Sequence, residues 1–148
     1  MRLSVQDHPF DFGHESDHFA VHSGGLGAGA VVTFCGIVRD TADALTAMQI
    51  EHYPGMTEKA IAGMMDQAIA RWDLADALVI HRHGRLVKGD LIMMVATASR
   101  HRANAFAAAD FLMDYLKSRA PFWKKELTLQ GGAWVEATAQ DEAALTRW

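Results

Sequence analysis

Four cationic side chains lie close to one proline in the last third of the chain. Lys117 and Arg119 precede Pro121, and Lys124 and Lys125 follow it within an aromatic run. Cations that converge on a corner can bind an anion, and apolar walls that desolvate a lysine lower its pKa. A structural explanation is also open. Cations in a last helical turn complement the helix dipole, and lysines on an edge strand discourage aggregation.

The residues around Pro121 predict a helix that ends there and a strand that follows at once. Apolar residues recur at helical spacing before the proline, at Phe106, Ala109, Leu112, Met113 and Leu116. Proline cannot continue a helix, and the aromatic, alternating residues after it suit a strand. Alternation places Phe122, Lys124 and Glu126 on one face of that strand, and Trp123, Lys125 and Leu127 on the other.

The remaining segments alternate between predicted strands and helices. Strands are expected at 2–6, 30–38, 44–52, 77–83, 91–98 and 134–137, and helices at 11–22, 57–72 and 100–118. Thr57 and Ser99 are the expected N-caps of the two long helices. Strands 30–38 and 44–52 are expected to form a hairpin across the polar turn 40–43. This order predicts a single α+β domain over residues 1–148, with a polar tail or short helix at 140–148.

The glycine-rich run 24–29 looks at first like a phosphate-binding loop. Such loops follow a strand and open a helix, whereas this run precedes the predicted strand 30–38. A flexible connector is the better interpretation.

Composition limits the classes of function. A formal net charge of −4 argues against general nucleic-acid binding. The single cysteine, Cys35, excludes an intramolecular disulfide and fits a reducing compartment. The first residues lack the apolar core of a signal peptide, and no apolar run reaches membrane-spanning length. We therefore expect a cytoplasmic protein that binds neither membranes nor nucleic acid.

Two sets of histidines have spacings that allow metal binding. His14, His18 and His22 share a helix face, and His81 and His83 share a strand face. A solvated first helix explains the first set, and surface or packing roles explain the second. No metal site is predicted, although a His-dependent metal hydrolase remains an alternative.

Three stretches together resemble one family, the large, catalytic subunit of molybdopterin synthase. They are Val31-Val-Thr-Phe-Cys-Gly-Ile-Val-Arg39, Glu51-His-Tyr-Pro-Gly-Met-Thr-Glu-Lys59 and the whole segment from Met113 to Glu126. Shorter matches stand at His81-Arg-His-Gly84, Gly89-Asp90 and Ser99-Arg-His-Arg102. The resemblance runs in unbroken order from about Gly29 to the terminal Arg147-Trp148, and residues 1–28 match weakly.

The resemblance implies an α/β hammerhead fold, with two long helices on a mainly antiparallel sheet. It implies a homodimer that binds two small ubiquitin-like sulfur carriers, a heterotetramer in total. Each carrier ends in Gly-Gly bearing a thiocarboxylate, and that tail enters a pocket of the large subunit. Sulfur passes to cyclic pyranopterin monophosphate and forms the dithiolene of molybdopterin. No metal or organic cofactor is expected for this step.

The resemblance also implies the site residues. The family's functional positions fall on Arg39, His101, Arg102, Lys117, Lys124 and Glu126, with contacts around Ile37, Val38 and Lys125. This chain departs from the family at Ile37, where a basic or polar residue is common, and at Cys35, where a hydroxyl residue is common.

Roles follow from the anionic substrate and tail. Arginine suits bidentate phosphate contacts, so Arg39 and Arg102 are assigned to the substrate, with His101 as donor or proton shuttle. Lys117 and Lys124 are the predicted catalytic residues, because an ammonium stabilises an oxyanion and a neutral amine acts as base or nucleophile. We expect Lys117 nearest the carrier tail and Lys124 nearest the pterin, but the sequence does not divide the chemistry between them. A non-catalytic module that binds a ubiquitin-like partner is the remaining alternative.

Overall fold

Within residues 1–40, 45–136 and 138–148, which the computed structural model describes, the strands form two four-stranded sheets. The strands are β1 Arg2–Gln6, β2 Ala30–Ile37, β3 Leu45–His52, β4 Asp76–Arg82, β5 Gly84–Leu86, β6 Leu91–Ser99, β7 Phe122–Thr128 and β8 Gly131–Val135. The helices are α1 Phe12–Gly25, α2 Met56–Trp72, α3 Arg102–Ser118 and α4 Ala139–Ala144, and a 3₁₀ turn follows at Leu145–Arg147. The predicted α+β fold is confirmed. No helix in the described ranges is long and apolar enough to cross a membrane.

The first sheet has the strand order β1-β4-β6-β2 and is covered on both faces. β1 runs parallel to β4, and the other pairs are antiparallel. The two central strands, β4 and β6, carry apolar side chains on both faces of the sheet, because alternate side chains enter two different cores. Val79 and Val95 pack with α2 and α3, whereas Leu78, Ile80 and Met94 belong to a second core with Phe19 of α1.

The second sheet has the order β5-β3-β7-β8, and its neighbouring strands pair antiparallel. Its inner face carries a small core of Val38, Ile50 and Leu86, against which Phe122 packs. Ile50 of β3 lies opposite Lys124 of β7, which places the lysine on this inner face. The predicted strand after Pro121 is therefore present, with the alternation expected of it.

The predicted hairpin between the second and third strands is wrong. β2 pairs along its length with β6 of the first sheet, whereas β3 lies between β5 and β7 of the second. The apolar side chains decide the pairing, because Val31 packs in the α1 core while Ile50 packs with Leu86. Residues 41–43 of the predicted turn and residue 44 of the predicted strand lie outside the described residues, as does residue 137 of the last predicted strand.

Both predicted N-caps are also wrong. α2 is capped by Gly55, whose positive φ of 81° favours glycine and whose amide donates to Glu58 at 2.6 Å. Thr57 is fully buried inside the helix, where its hydroxyl accepts from the Tyr53 amide at 3.1 Å and donates to the Pro121 carbonyl at 3.3 Å. α3 is capped by His101, and Ser99 is the last residue of β6.

The glycine-rich run is shorter as a connector than predicted, because Gly24 and Gly25 belong to the last turn of α1. Gly29 lies so close to the turn between β6 and α3 that a Cβ there would stand 2.7 Å from the carbonyl oxygen of Arg100. This close approach requires glycine at that position. The run thus has a packing role as well as a connecting one.

Candidate functional site

A cleft of about 420 Å³ opens between the two sheets, where β2 ends, β6 begins and α3 turns into β7. Its charged lining consists of Arg39, Lys117, Lys124, Glu126, Glu136 and Asp141. Its apolar lining includes Val38, Met48, Ile92, Leu116 and Phe122. The cleft therefore combines three cations and three carboxylates with apolar walls, so the cations that can bind an anion have acidic groups beside them.

Lys124 projects into this cleft from the inner face of β7. Phe122 and Glu126, its neighbours on that face, line the cleft with it. Burial lowers the pKa of Lys124 below its ordinary value, the charge of Lys117 lowers it further, and Asp141 partly opposes the change. The uncharged amine of Lys124 is therefore more accessible than that of an ordinary lysine.

Lys117 enters the same cleft from the last turn of α3, and its environment differs. Its Nζ lies 3.4 Å from Oδ1 of Asp141, and its side chain is half exposed. Asp141 is itself held by Thr138, whose hydroxyl donates to Oδ2 at 2.7 Å. These hydrogen bonds lower the pKa of Asp141, and the charge of Lys117 contributes. Lys117 thus has a counter-ion, whereas no ion pair of Lys124 is found among the described residues.

The end of β2 forms the opposite wall. The backbone of Val38 is fixed by two hydrogen bonds of 2.9 Å, from its amide to the Asp90 carbonyl and from the Gly89 amide to its own carbonyl. Val38 is buried, Ile37 is exposed, and both line the cleft with Arg39. The structure therefore brings together six of the predicted positions: Ile37, Val38, Arg39, Lys117, Lys124 and Glu126.

Two of the four cations around Pro121 point elsewhere. Lys125 lies on the outer face of β7, with its Nζ 5.4 Å from the ring centroid of Trp134. Arg119 pairs with Glu142 at 3.0 Å and does not line the cleft. Of the four cations that flank the corner, Lys117 and Lys124 line the cleft, and the two lysines of β7 lie on opposite faces as strand alternation predicted.

His101 and Arg102 stand at the other end of α3 from Lys117. A helix of 17 residues spans about 25 Å, so these two side chains do not reach the cleft of their own chain. Their substrate contacts stay a prediction.

The sequence interpretation gives no role to Thr138, or to Asp141 within the predicted polar tail or short helix at 140–148. Thr138 is the N-cap of α4, and Asp141 is its third residue. A Thr-x-x-Asp spacing is a capping-box signal that was available in the sequence. Its proximity to Lys117 was not available, because that contact depends on how the tail packs.

A larger cavity of about 790 Å³ lies beside the cleft, between β2, α3 and α4. It shares Lys117 and Asp141 with the cleft and exposes Phe34 and Phe106. Lys124 does not line it. The smaller cleft is the better candidate site because it holds both lysines.

The histidines give no support to a metal site. In the part of the chain that the structure describes, no group of three or more His, Cys, Asp or Glu side chains could hold a metal ion. The rings of His14 and His18 stack at 6.4 Å, and His81 is engaged by Arg82 and Phe122. The metal hydrolase alternative is not favoured.

The fold and the cleft define a member of a known biosynthetic family. The family model described as MoaE protein matches residues 5–119. A relative from Cereibacter sphaeroides, named "Molybdopterin synthase catalytic subunit", is 66% identical over 100% of both chains. The chain belongs to the MoaE family, and the resemblance found in the sequence is confirmed.

Solved structures agree with this assignment. The MoaE protein from Burkholderia ambifaria has a TM-score of 0.83 and 45% identity, and the match covers 99% of this chain and 97% of that one. A chain from Helicobacter pylori, described as a "Protein-protein complex of subunit 1 and 2 of Molybdopterin-converting factor", has a TM-score of 0.79 at 18% identity, with 90% of each chain covered. At that identity, the second likeness shows the fold alone.

Proposed function

We propose that this protein is the catalytic subunit of a molybdopterin synthase, and that it acts as a sulfurtransferase. It transfers sulfur from the C-terminal thiocarboxylate of a small carrier subunit to cyclic pyranopterin monophosphate. The observation that carries the proposal is the presence of two lysines with different environments in one cleft. The names of the relatives support a role in molybdopterin synthesis, and the three cations of the cleft suit an anionic pterin and an anionic tail.

The reaction makes two demands on the site. The thiocarboxylate sulfur bonds to a side-chain carbon of the pterin while a carbon–oxygen bond at that carbon breaks and the oxygen substituent leaves. The sulfur is then still joined to the carrier's acyl carbon as a thioester. Water then attacks that carbon, the carbon–sulfur bond breaks, and the carrier leaves as a carboxylate while the sulfur stays on the pterin. The site must therefore stabilise an oxyanion and accept a proton from water.

The two lysines divide these demands in the proposed mechanism. Lys117 holds an ion pair with Asp141, so it is assigned as the cation that attracts the tail and stabilises the oxyanion. The lowered pKa of Lys124 favours its neutral amine, so it is assigned as the base. Arg39 is placed to bind the phosphate of the pterin, and Glu126 lies on the same strand face as Lys124 to orient it.

The proposed partner is a small ubiquitin-like carrier whose extended Gly-Gly tail enters the cleft. No cofactor is proposed beyond the pterin substrate. We also propose a homodimer with one carrier on each protomer. The position of His101 and Arg102 about 25 Å along α3 from Lys117 supports this, since a neighbouring protomer would have to supply them to the cleft.

Product formation tests the proposed reaction. The purified protein is mixed with pyranopterin and with carrier bearing either a thiocarboxylate or an ordinary carboxylate. Dithiolene product is expected only with the thiocarboxylate. Binding of the carrier without any product would overturn the proposal and favour the non-catalytic binding module.

Complementation tests the dimer. Lys124→Ala and Arg102→Ala proteins are each expected to be nearly inactive. Mixed dimers would regain activity if one cleft takes Lys124 from one protomer and Arg102 from the other. A mixture that remains as inactive as its components, with mixed dimers demonstrated, would contradict a shared site.

A further inference from the structure

His81, at the end of β4, links the two sheets behind the cleft. Its ring is 1% exposed and stacks on Phe122 of β7, with 3.8 Å between ring centroids and 15° between ring planes. Its Nδ1 lies 2.8 Å from the carbonyl oxygen of Arg82. Since a carbonyl only accepts, Nδ1 must carry the proton, and the ring is fixed both by a hydrogen bond and by a stack.

The ring of His81 carries no charge near neutral pH. Burial lowers the pKa of His81 to about 3, and the positive charge of Lys124 contributes to this. The two side chains are therefore close enough to affect each other electrostatically. Because His81 is neutral, it is not a counter-ion for Lys124. Because it is buried, it also keeps solvent away from the side of Lys124 that faces away from the cleft.

Phe122 is the connection between His81 and Lys124. Both Phe122 and Lys124 line the cleft from the inner face of β7, two residues apart. A ring that fixes Phe122 also fixes the strand segment from which Lys124 projects. Other histidines stand nearby, since the ring centroid of His52 lies 6.2 Å from that of Phe122 and 4.4 Å from that of His83. Both are less buried than His81.

We propose that His81 is a positioning residue for Lys124: through its stack on Phe122, it forms the fixed back wall that keeps the lysine amine out of water and directed at the cleft. It acts without contacting the substrate. The inference rests on the proposed role of Lys124 and extends it. Its test is the state of that amine, which can be measured without turnover.

Several other charged groups line the cleft with Lys124 and must remain unchanged in the test. They are Arg39, Lys117, Glu126, Glu136 and Asp141. Lys117 acts on Lys124 in the same direction as burial, and Asp141 in the opposite direction. Substitutions at position 81 leave all five in place, so a change in the pKa of Lys124 can be attributed to loss of the stack between His81 and Phe122.

The experiment is an NMR titration of the full chain after ¹³C-methylation of its lysines. The chain has five lysines, at positions 59, 88, 117, 124 and 125, and loss of one signal in Lys124→Arg assigns the resonance. Two variants separate the ring from its hydrogen bond. His81→Asn keeps a donor for the Arg82 carbonyl and removes the ring, whereas His81→Phe keeps a ring and removes the donor.

The matched control is Ile80→Ala. Ile80 is buried on the same strand, but its side chain enters the opposite core, with Phe19. Phe122→Leu abolishes the same stack by removing the ring of Phe122 while His81 stays in place. It replaces the variants at position 81 if those do not fold. The acid limb of the pH–rate profile of product formation provides a second readout.

The pKa of Lys124 is expected to rise in His81→Asn and Phe122→Leu, toward that of an ordinary lysine. In His81→Phe and Ile80→Ala it is expected to stay low, as in the natural protein. The acid limb of the rate profile should move in parallel. The inference is overturned if the pKa of Lys124 is unchanged in His81→Asn, or if it rises equally in Ile80→Ala. A protein that makes no product yet shows the expected shifts would count against the proposed function and not against the positioning role.

Discussion

The two faces of β7 give adjacent lysines opposite environments. On the inner face, Lys124 is largely buried, and its pKa is lowered by burial and by Lys117. On the outer face, the ammonium of Lys125 lies over the ring of Trp134. Residue type and position along the chain are nearly the same, so the difference comes from the sheet alone. The face of the strand on which a lysine lies therefore decides whether Lys124 or Lys125 is available as a base.

The largest expected effect is on turnover. Lys124→Ala should reduce product formation by about a hundredfold or more, as for loss of a general base. Lys125→Ala should lose less than about tenfold, because its side chain faces away from the cleft. Initial rates at saturating thiocarboxylated carrier check both values, and Lys59→Ala, on α2, controls for the loss of a positive charge. Equal losses at 124 and 125 would break the comparison.

The second effect is on stability. Lys124→Met should raise the free energy of unfolding near pH 7 by about 1 kcal/mol, since a buried charge is replaced by an apolar side chain of similar length. Lys125→Met should not stabilise the protein in this way. Urea unfolding of both variants measures the difference, and destabilisation by Lys124→Met would argue that the ammonium is well solvated in the cleft.

The pH dependence of that gain has a definite sign. Because the folded protein holds the proton of Lys124 less tightly than the unfolded chain, the natural protein becomes more stable as pH rises between the folded and unfolded pKa values. The advantage of Lys124→Met should therefore be largest below that window and shrink through it. An advantage that grew with pH would contradict a lowered pKa.

A smaller effect is expected from Asp141→Asn. The carboxylate of Asp141 raises the pKa of Lys124, so its removal should lower that pKa further and move the acid limb of the rate profile to lower pH. The rate itself should change only about two- to threefold, as the ion pair with Lys117 is partly exposed. Glu142→Gln, which removes the partner of Arg119, is the control and should leave the limb in place.

The smallest effect concerns the outer face. Trp134→Ala removes the ring beneath Lys125 and should cost about 0.5 kcal/mol of stability, the usual size of an exposed cation–π contact. Thermal unfolding measures this, and turnover should be unchanged. A large loss of turnover would show that the outer face takes part in the site.

The sequence was sufficient where local rules determine the structure. Pro121 ends a helix before a strand by simple sterics, and alternation then places Lys124 and Lys125 on opposite faces of that strand. It was insufficient where distant segments compete. β2 and β3 are neighbours in the chain, yet each finds a better apolar partner elsewhere, in β6 and β7.

The site shows the same division. Lys117 and Lys124 are close in sequence and share the cleft, as the resemblance implied. Asp141 was missed because its ion pair forms only after α4 packs beside α3. The distance of His101 and Arg102 from the cleft follows from the length of α3, which the predicted helix 100–118 already contained.

The hydroxyl of Thr57 has a consequence for how the cleft admits a chain. It is fully buried and bridges the backbone before α2 to the Pro121 carbonyl, which anchors the corner that begins β7. The facing wall, α4, is held to Lys117 and Arg119 by pairs that are open to solvent. We therefore expect the exposed pairs of α4 with Lys117 and Arg119 to open more readily than the buried hydrogen bonds of Thr57, so that the cleft widens first on the α4 side.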